Sequence, residues 1–202
     1  MSVSPTRDRR AERREATRTE ILEAAWEQAR EQGLAGVSLR DIAARIGMRP
    51  PSLYWYFASK HDIYDAMFAM GNRALLDRIA VEEWPEAPRA VLRAVAGIFV
   101  DFCVEDPARA QLMFERTIPD FEPSEESYAL AIQVLEQGRA GLEAAGVRDP
   151  AHFDLWTALV SGLANQQVAN DPGGERWASL IDDAVEMFAN HVLPRRRTRS
   201  KQ

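Results

Sequence analysis

Cysteine and histidine are scarce in this chain. Its 202 residues include one cysteine, Cys103, and three scattered histidines. A single cysteine excludes a disulfide within the chain and suits a reducing compartment, and in an apolar stretch it is more often inert than redox-active. No Cys/His metal spacing, G-x-S-x-G sequence or phosphate-binding P-loop is present. The sequence therefore predicts no catalytic residue, no metal and no cofactor.

Long apolar runs are also missing. No stretch approaches the roughly 18–20 apolar residues that cross a membrane, and no apolar segment follows the arginine-rich start as it would in a secretory signal. Apolar residues nevertheless make up 46% of the chain, enough for a sizeable core. We therefore expect a cytoplasmic protein without a membrane partner, built as one large or two small domains.

Acidic residues outnumber basic ones, which gives a net charge of −6, but the charges are unevenly distributed along the chain. Residues 1–60 carry 11 basic and 8 acidic side chains, whereas residues 61–194 carry 9 basic and 23 acidic ones. The last eight residues add five basic side chains and no acidic one. A basic head on an acidic body favours nucleic-acid binding, because the body repels phosphate and helps to orient the head.

Strand-like alternation is absent, and helical periodicity runs through the chain. We predict an all-α fold of about nine helices. Thr17 and Glu20 form a capping box that predicts the start of the first long helix. Later helices are predicted at 61–81, 89–105, 107–118, 124–145, 149–170 and 175–193. The predicted domains are a basic flexible arm (1–16), a three-helix head (17–62), a larger helical body (63–194) and a basic disordered tail (195–202). The arm is either a segment that meets phosphates or the minor groove, a solvated disordered segment, or an early start of the first helix; its acidic residues dilute its positive charge.

The segment 38–60, SLRDIAARIGMRPPSLYWYFASK, holds three helix boundaries. Ser38 and Asp41 form a capping pair for a short helix that Gly47 ends. Two prolines begin a second predicted helix, 50–57, because proline suits the first helical turn. A serine and an aspartate then cap a third. Two short helices joined by a tight turn with glycine are typical of a helix-turn-helix, whose second helix can enter the DNA major groove.

The stretch LRDIAARIGMRPPSLYWYFASKHDIYDAM closely resembles the DNA-binding region of the tetracycline-repressor (TetR) family of bacterial regulators. Its LYWYF-x-x-K run is similar to the family's L-Y-x-H/Y-F-x-x-K element. The resemblance covers residues 17–76; beyond them, only size and helical layout match. It implies a bacterial, nucleoid-associated repressor that binds a palindromic operator of double-stranded DNA as a homodimer and responds to an unknown small-molecule effector.

The resemblance also implies which residues contact DNA. Arg40 would reach guanine, where a bidentate contact discriminates by about 1–3 kcal/mol. Pro50 stands where some members have a polar base-reading residue, so recognition should shift toward Arg40, Arg49 and Ser52. Trp55 is either a groove contact or a packing residue, whereas the tyrosines and lysine of the LYWYF-x-x-K run match phosphate-contacting positions. The full set is Ser38, Arg40, Arg49, Pro50, Pro51, Ser52, Tyr54, Trp55, Tyr56 and Lys60.

Two further sites are implied for the body, and plain core packing is the alternative for both. The last two predicted helices have wide apolar faces that could form a four-helix interface between two subunits. Its candidate residues are Trp156, Leu159, Leu163, Trp177, Ile181, Val185 and Phe188. Aromatic and methionine-rich linings suit apolar ligands. The candidate residues of an effector pocket are Phe99, Phe102, Cys103, Met113, Phe114, Tyr128 and Trp156.

Two other functions fit the same sequence. One is a constitutive DNA-binding or architectural protein without an effector, which would bind all duplexes equally with a steep salt dependence. The other is a small-molecule-binding protein whose head has weak DNA specificity. Release from one palindrome by a metabolite would favour the ligand-responsive repressor over both.

Overall fold

The computed structural model describes the backbone of residues 5–193 and the side chains of residues 9–193, and this range contains nine α-helices and no strand. The predicted all-α fold is therefore confirmed. Short 3-10 turns lie at Leu34–Gly36 and Ala178–Leu180. The helices are α1 Pro5–Gln32, α2 Leu39–Arg45, α3 Pro50–Leu53, α4 Lys60–Ala80, α5 Pro88–Glu105, α6 Pro107–Phe114, α7 Glu125–Ala144, α8 Pro150–Asn170 and α9 Ile181–Val192.

The first helix starts earlier than its capping box predicts. Residues 5–16, expected as a flexible arm, are helical and continuous with the rest of α1. Thr17 is consequently not a cap: its hydroxyl donates to the carbonyl oxygen of Arg13 at 3.0 Å, one turn back inside the helix. The early start of the first helix thus replaces the separate arm, while residues 1–4 and the predicted tail 195–202 lie outside the described residues.

Three predicted helices end or begin elsewhere for identifiable reasons. The second short helix is regular only over Pro50–Leu53 and continues as a turn. Helix α6 stops at Phe114, because Glu115 is extended and only its N–H still donates to the helix, to the carbonyl oxygen of Gln111 at 3.1 Å. Helix α9 starts at Ile181 because the buried Gln167 side chain accepts the N–H groups of Trp177 and Ala178, at 2.8 and 3.1 Å, and holds the preceding residues in a turn.

The described chain forms two compact units. We call Met1–Arg73 with Asp106–Ala131 the head unit, and Ala74–Glu105 with Ile132–Gln202 the body unit. The head unit therefore extends past the boundary expected at residue 62: it includes the first part of α4, all of α6 and the start of α7.

Helix α6 packs within the head unit through one glycine and one ion pair. A Cβ added at Gly71 on α4 would lie 2.6 Å from Met113 Sδ, so the two helices meet where only hydrogen fits. Asp106 caps α6 by accepting the N–H of Arg109 at 3.1 Å, and it also binds Arg30 of α1 at 2.6 Å. These contacts explain why α6 belongs to the head unit although it follows α5 in the chain.

The body unit has its own apolar core between α5, α7, α8 and α9. Trp156 and Phe188 lie at its centre with ring centroids 4.9 Å apart. At the edge of this core Arg89 Nη1 binds Glu186 Oε2 at 2.7 Å, and Arg93 binds Asp182, so charged pairs join α5 to α9. None of the helices within residues 5–193 combines the length and the apolarity needed to span a membrane.

Candidate nucleic-acid interface

A buried amide fixes the start of α2. Gln28, only 1% exposed, accepts the backbone N–H of Ser38 at 3.0 Å and donates to Asp41 Oδ2 at 3.3 Å. Ser38 Oγ accepts the N–H of Asp41 at 3.2 Å and donates to the Asp41 carboxylate at 2.7 Å. The predicted capping pair is confirmed, and the Ser38 hydroxyl is already hydrogen-bonded within the protein.

The turn into α3 follows from one glycine and two apolar anchors. Gly47 adopts φ 67°, the left-handed conformation that ends α2. After α3, the N–H of Phe57 donates to the carbonyl oxygen of Leu53 at 3.1 Å, and both side chains are buried in the core of the head unit. Between these two inward-pointing residues, Tyr54 and Trp55 face outward, whereas Tyr56 packs partly against the same core.

The predicted DNA-contacting residues lie on this outward face and at its borders. Trp55 is 81% exposed and Tyr54 56% exposed, so packing against the core is excluded as the role of Trp55. Arg40, Arg49 and the two α3 prolines are exposed, whereas Ser38, Ser52, Tyr56 and Lys60 are half-buried. The helix-turn-helix thus brings all ten residues together within the head unit, with two arginines and two aromatic rings directed to solvent.

Lys60 is held at the edge of this surface by the loop before α2. Its Nζ donates to the carbonyl oxygen of Ala35 at 3.3 Å and lies 5.2 Å from the centroid of the Tyr64 ring. Tyr64 in turn donates its hydroxyl to the carbonyl oxygen of Leu34 at 2.6 Å. An ammonium has three donors, so Lys60 keeps donors for an anion while one of them fixes its position. Its helix is capped reciprocally by Ser59 and Asp62, as predicted.

Two arginines of α1 hold the end of the α3 turn; the sequence reasoning placed Arg14 in the basic arm and missed Arg18 as a site residue. Arg18 Nη1 donates to the carbonyl oxygen of Tyr56 at 2.7 Å and its guanidinium lies 4.3 Å from the Phe57 ring centroid. Arg14 Nη2 donates to the carbonyl oxygen of Trp55 at 3.4 Å. Carbonyls at the end of a helical turn lack partners, and cations suit that end. The four-residue spacing of the two arginines was the available signal.

A third arginine is neutralised within the head unit. Arg45, in the last turn of α2, binds Glu27 at 3.1 Å and Glu31 at 2.5 Å on α1. Hydrogen bonding to Arg45 lowers the pKa of the Glu31 carboxyl, and the two glutamates raise the pKa of the Arg45 guanidinium. These exposed ion pairs link α2 to α1, so Arg45 differs from Arg40 and Arg49 in being bound to the protein's own carboxylates.

The body residues chosen for a subunit interface include part of the chain's own core. Trp156, Val185 and Phe188 are 4%, 1% and 3% exposed and pack on one another within the body unit. Their selection as surface residues was therefore wrong, because an apolar face pattern marks the inward side of a helix as readily as an interface. The remaining four candidates, Leu159, Leu163, Trp177 and Ile181, are half-buried.

The pocket candidates divide between the two compact units. Four belong to the body unit and three, Met113, Phe114 and Tyr128, belong to the head unit. Phe114 and Tyr128 are 43% and 53% exposed, whereas Phe102, Cys103 and Trp156 are buried. The structure therefore does not gather the seven in one unit. Across residues 9–193, no three His, Cys, Asp or Glu side chains are grouped so as to hold a metal ion.

Comparison with known proteins adds three findings. Residues 21–67 match the family described as bacterial regulatory proteins, tetR family. A helix-turn-helix-type transcriptional regulator of Mycobacterium tuberculosis is 29% identical over an alignment of 215 positions, gaps included, that spans 91% of this chain and 86% of that protein. A tetR-family regulator from Streptomyces coelicolor superposes with a TM-score of 0.67 at 25% identity over 87% of this chain and 80% of its own.

A more distant structure shows the same fold. The regulator FadR from Bacillus subtilis, solved in complex with stearoyl-CoA, has a TM-score of 0.60 at 16% identity and covers 86% of this chain and 98% of its own. The segment that matches the family, 21–67, contains the Gln28–Ser38–Asp41 network, and Arg14 and Arg18 lie just before it. All ten predicted contact positions, from Ser38 to Lys60, fall inside it.

Proposed function

We propose that this chain, which belongs to the tetR family of bacterial regulatory proteins and is a DNA-binding transcriptional regulator, is a ligand-responsive repressor that binds a palindromic operator as a homodimer. The observation that carries the DNA-binding part is the α3 turn: Leu53 and Phe57 are buried, and Tyr54 and Trp55 are exposed beside Arg40 and Arg49. A regulator of genes acts in the cytoplasm, on the nucleoid.

The contacts divide by chemistry into base reading and phosphate binding. Arg40 and Arg49 carry planar guanidinium groups that match guanine O6 and N7, and Pro50 offers only apolar contact, for instance to a thymine methyl. Tyr54 and Lys60 donate to phosphate oxygens, which fixes the register without reading sequence. Base choice therefore rests on the two arginines, with Ser52 beside them.

The homodimer would use the outward sides of α8 and α9. Leu155 and Met187 are 47% and 63% exposed, and Ala158 and Gly162 lie three and seven residues after Leu155, on the same side of α8. A Cβ added at Gly162 meets nothing within 4 Å, so this glycine has no packing role inside the chain. Small residues let a second helix approach closely, and two-fold pairing presents two heads to a palindrome.

The effector would be a molecule with an apolar part. FadR, which shares the fold, is in complex with stearoyl-CoA. In the present chain, Phe99 of α5 and Trp156 of α8 belong to the apolar core of the body unit, and Phe102 is also buried on α5. Apolar pockets lined by aromatic rings suit acyl chains and similar groups.

The DNA-binding proposal is tested by selecting bound duplexes from a random-sequence library, with and without candidate ligands such as acyl-CoAs. We expect one palindrome to be enriched and to be released by one ligand class. Lys60→Ala should weaken binding to all duplexes without changing the enriched sequence. Equal affinity for every duplex, with a steep salt dependence, would instead identify a constitutive architectural protein.

The interface is tested with a matched pair of glycine substitutions. Gly162→Arg places a long side chain on the outward face of α8, whereas Gly138→Arg places it on α7, where a Cβ also meets nothing within 4 Å. Both changes remove a helical glycine, so neither should unfold the chain. We expect sedimentation to show monomers for Gly162→Arg and dimers for Gly138→Arg. A dimer that persists in the Gly162→Arg variant would rule out the α8 interface.

A further inference from the structure

The early start of α1 creates a row of arginines that a flexible arm would not have. Arg10, Arg14 and Arg18 are spaced by four residues in one continuous helix, so they lie along one side of it. Arg9 and Arg13 form the neighbouring row, because an α-helix advances by about 100° per residue. The side chains of Arg9 to Arg14 are exposed. Helix formation therefore gathers five arginines on one half of α1.

The acidic residues of the same segment lie on the other half. Glu12 and Glu15 are two and five residues after Arg10, which places them roughly 140–160° away around the helix axis. The helix therefore separates basic and acidic side chains that alternate along the sequence, except at the border where Glu15 approaches Arg18. Within the described part of the chain, Glu15 lies 3.9 Å from Arg18 Nε, and no ion pair engages Arg9, Arg10 or Arg13.

The arginine row begins at the DNA-reading surface. Arg18 donates to the carbonyl oxygen of Tyr56 and Arg14 to that of Trp55, the most exposed residue of the α3 turn. Arg10 lies one helical turn beyond Arg14, or about 6 Å further along the axis. The positive surface is therefore continuous from the turn that follows α3 to the first turns of α1.

We infer that Arg9, Arg10 and Arg13 bind phosphates of the duplex that flanks the half-site read by α3; this inference rests on the proposed function. The guanidinium group of arginine can bind two phosphate oxygens at once, and such contacts do not depend on the base sequence. The helix itself, about 10–12 Å across with its side chains, is too wide to enter a minor groove about 6 Å wide. The N-terminal part of α1 thus extends the DNA contact beyond the helix-turn-helix.

The test is a triple variant, Arg9→Gln with Arg10→Gln and Arg13→Gln, measured on a selected operator with long flanks. Glutamine and arginine have similar helix propensities, so α1 should persist, as circular dichroism can verify. We expect the slope of log K against log salt concentration to become shallower by about 0.9 for each phosphate that is no longer bound, and binding at ~0.1 M salt to weaken roughly tenfold or more. The selected base sequence should not change.

The control removes the same charge from the body unit, through Arg139→Gln with Arg148→Gln and Arg176→Gln, all exposed positions. This control should keep the wild-type slope. Shortening the DNA flanks should weaken the wild type and the control but not the Arg9/Arg10/Arg13 variant, since that variant no longer binds the flanks. An unchanged slope and unchanged flank dependence in that variant would overturn the inference.

Failure of the inference and failure of the proposed function give different results. If Lys60→Ala weakens binding to a selected palindrome while the triple variant matches the wild type, only the flank contact is wrong. If no palindrome is selected by the wild type, the repressor function itself is wrong. A flank effect that depends on A·T content rather than on length would mean base reading in place of phosphate binding and would also overturn the inference.

Discussion

The DNA-reading elements of the head unit and the centre of the body unit are stabilised by different kinds of contact, although each unit also has an apolar core and a buried glutamine. In the head unit, the reading elements are fixed by directional polar contacts: Gln28 to the start of α2, and Arg18 to the end of the α3 turn. In the body unit, the centre is apolar, with Trp156 against Phe188. Helix caps in the head leave a pattern of residue types at fixed spacing, whereas apolar packing leaves only a periodicity. The difference explains why the head can be assigned residue by residue and the body cannot.

The strongest way to test this contrast is to remove the centre of the body. Trp156→Ala should lower the free energy of unfolding by about 3–5 kcal/mol, because removing a buried aromatic ring leaves a cavity. Denaturant titration measures this loss, and Leu135→Ala, at an exposed leucine of α7, should stay within about 0.5 kcal/mol. If Trp156→Ala instead separates the subunits without changing stability, Trp156 is an interface residue and the prediction is wrong.

A second test removes the polar centre of the head. Gln28→Leu should cost about 1–3 kcal/mol of stability, because the N–H of Ser38 loses its acceptor and Asp41 loses a donor. Operator binding should weaken with it, as α2 is no longer held. Gln137→Leu, at an exposed position on α7, is the control for the change in polarity. A Gln28→Leu protein with wild-type stability would show that the head is held by packing, like the body.

The reading surface itself should respond in sequence preference more than in stability. Arg40→Ala should relax the choice at one base pair by about tenfold, the low to middle range for a bidentate guanine contact. Tyr54→Phe should instead reduce affinity evenly for all duplexes, since it removes a phosphate donor. Selection profiles of the two variants measure the difference; an unaltered profile for Arg40→Ala would remove it from the base-reading residues.

The smallest expected effect is the acid dependence of the link between α1 and α2. The pKa of Glu31 is lowered in the folded protein by its hydrogen bond to Arg45, so its contribution to stability is present above the unfolded pKa and is lost as pH falls through the folded pKa. Glu31→Gln should therefore reduce stability slightly at pH 7, and this loss should shrink as the pH falls below the usual range of a glutamate carboxyl. Glu23→Gln, an exposed carboxylate on the same helix, should show no such difference.

The caps show how far sequence reasoning reaches. The pairs Ser38 with Asp41 and Ser59 with Asp62 were predicted to cap helix starts, and both predictions are confirmed. They could be made from the sequence because a cap acts between residues three apart. The Thr17 box satisfies the same local rule, yet the preceding Arg, Ala and Glu residues favour helix and Pro5 can begin it, so the helix continues through the box. The sequence pattern alone cannot decide whether capping at Thr17 or the helix propensity of the residues before it prevails.

Contacts between different helices could not be predicted from the sequence for a different reason. Nothing local indicates that Arg18 meets the carbonyl of Tyr56, 38 residues away, or that Gly71 meets Met113. In the body, the same helical periodicity describes Trp156, which is buried, and could describe an exposed stripe. Deciding between them requires knowing which face is already covered, and that is a property of the assembled core.

The network around Gln28 also constrains how such a regulator can evolve. Its three members share their hydrogen bonds, so a lineage that changes one of them leaves a donor or an acceptor without its partner until a second change follows. Arg40 and Arg49 are exposed, and no ion pair among the described side chains engages them, so they can be exchanged one at a time. Descendants of this protein should therefore acquire new operators while keeping the same scaffold beneath them.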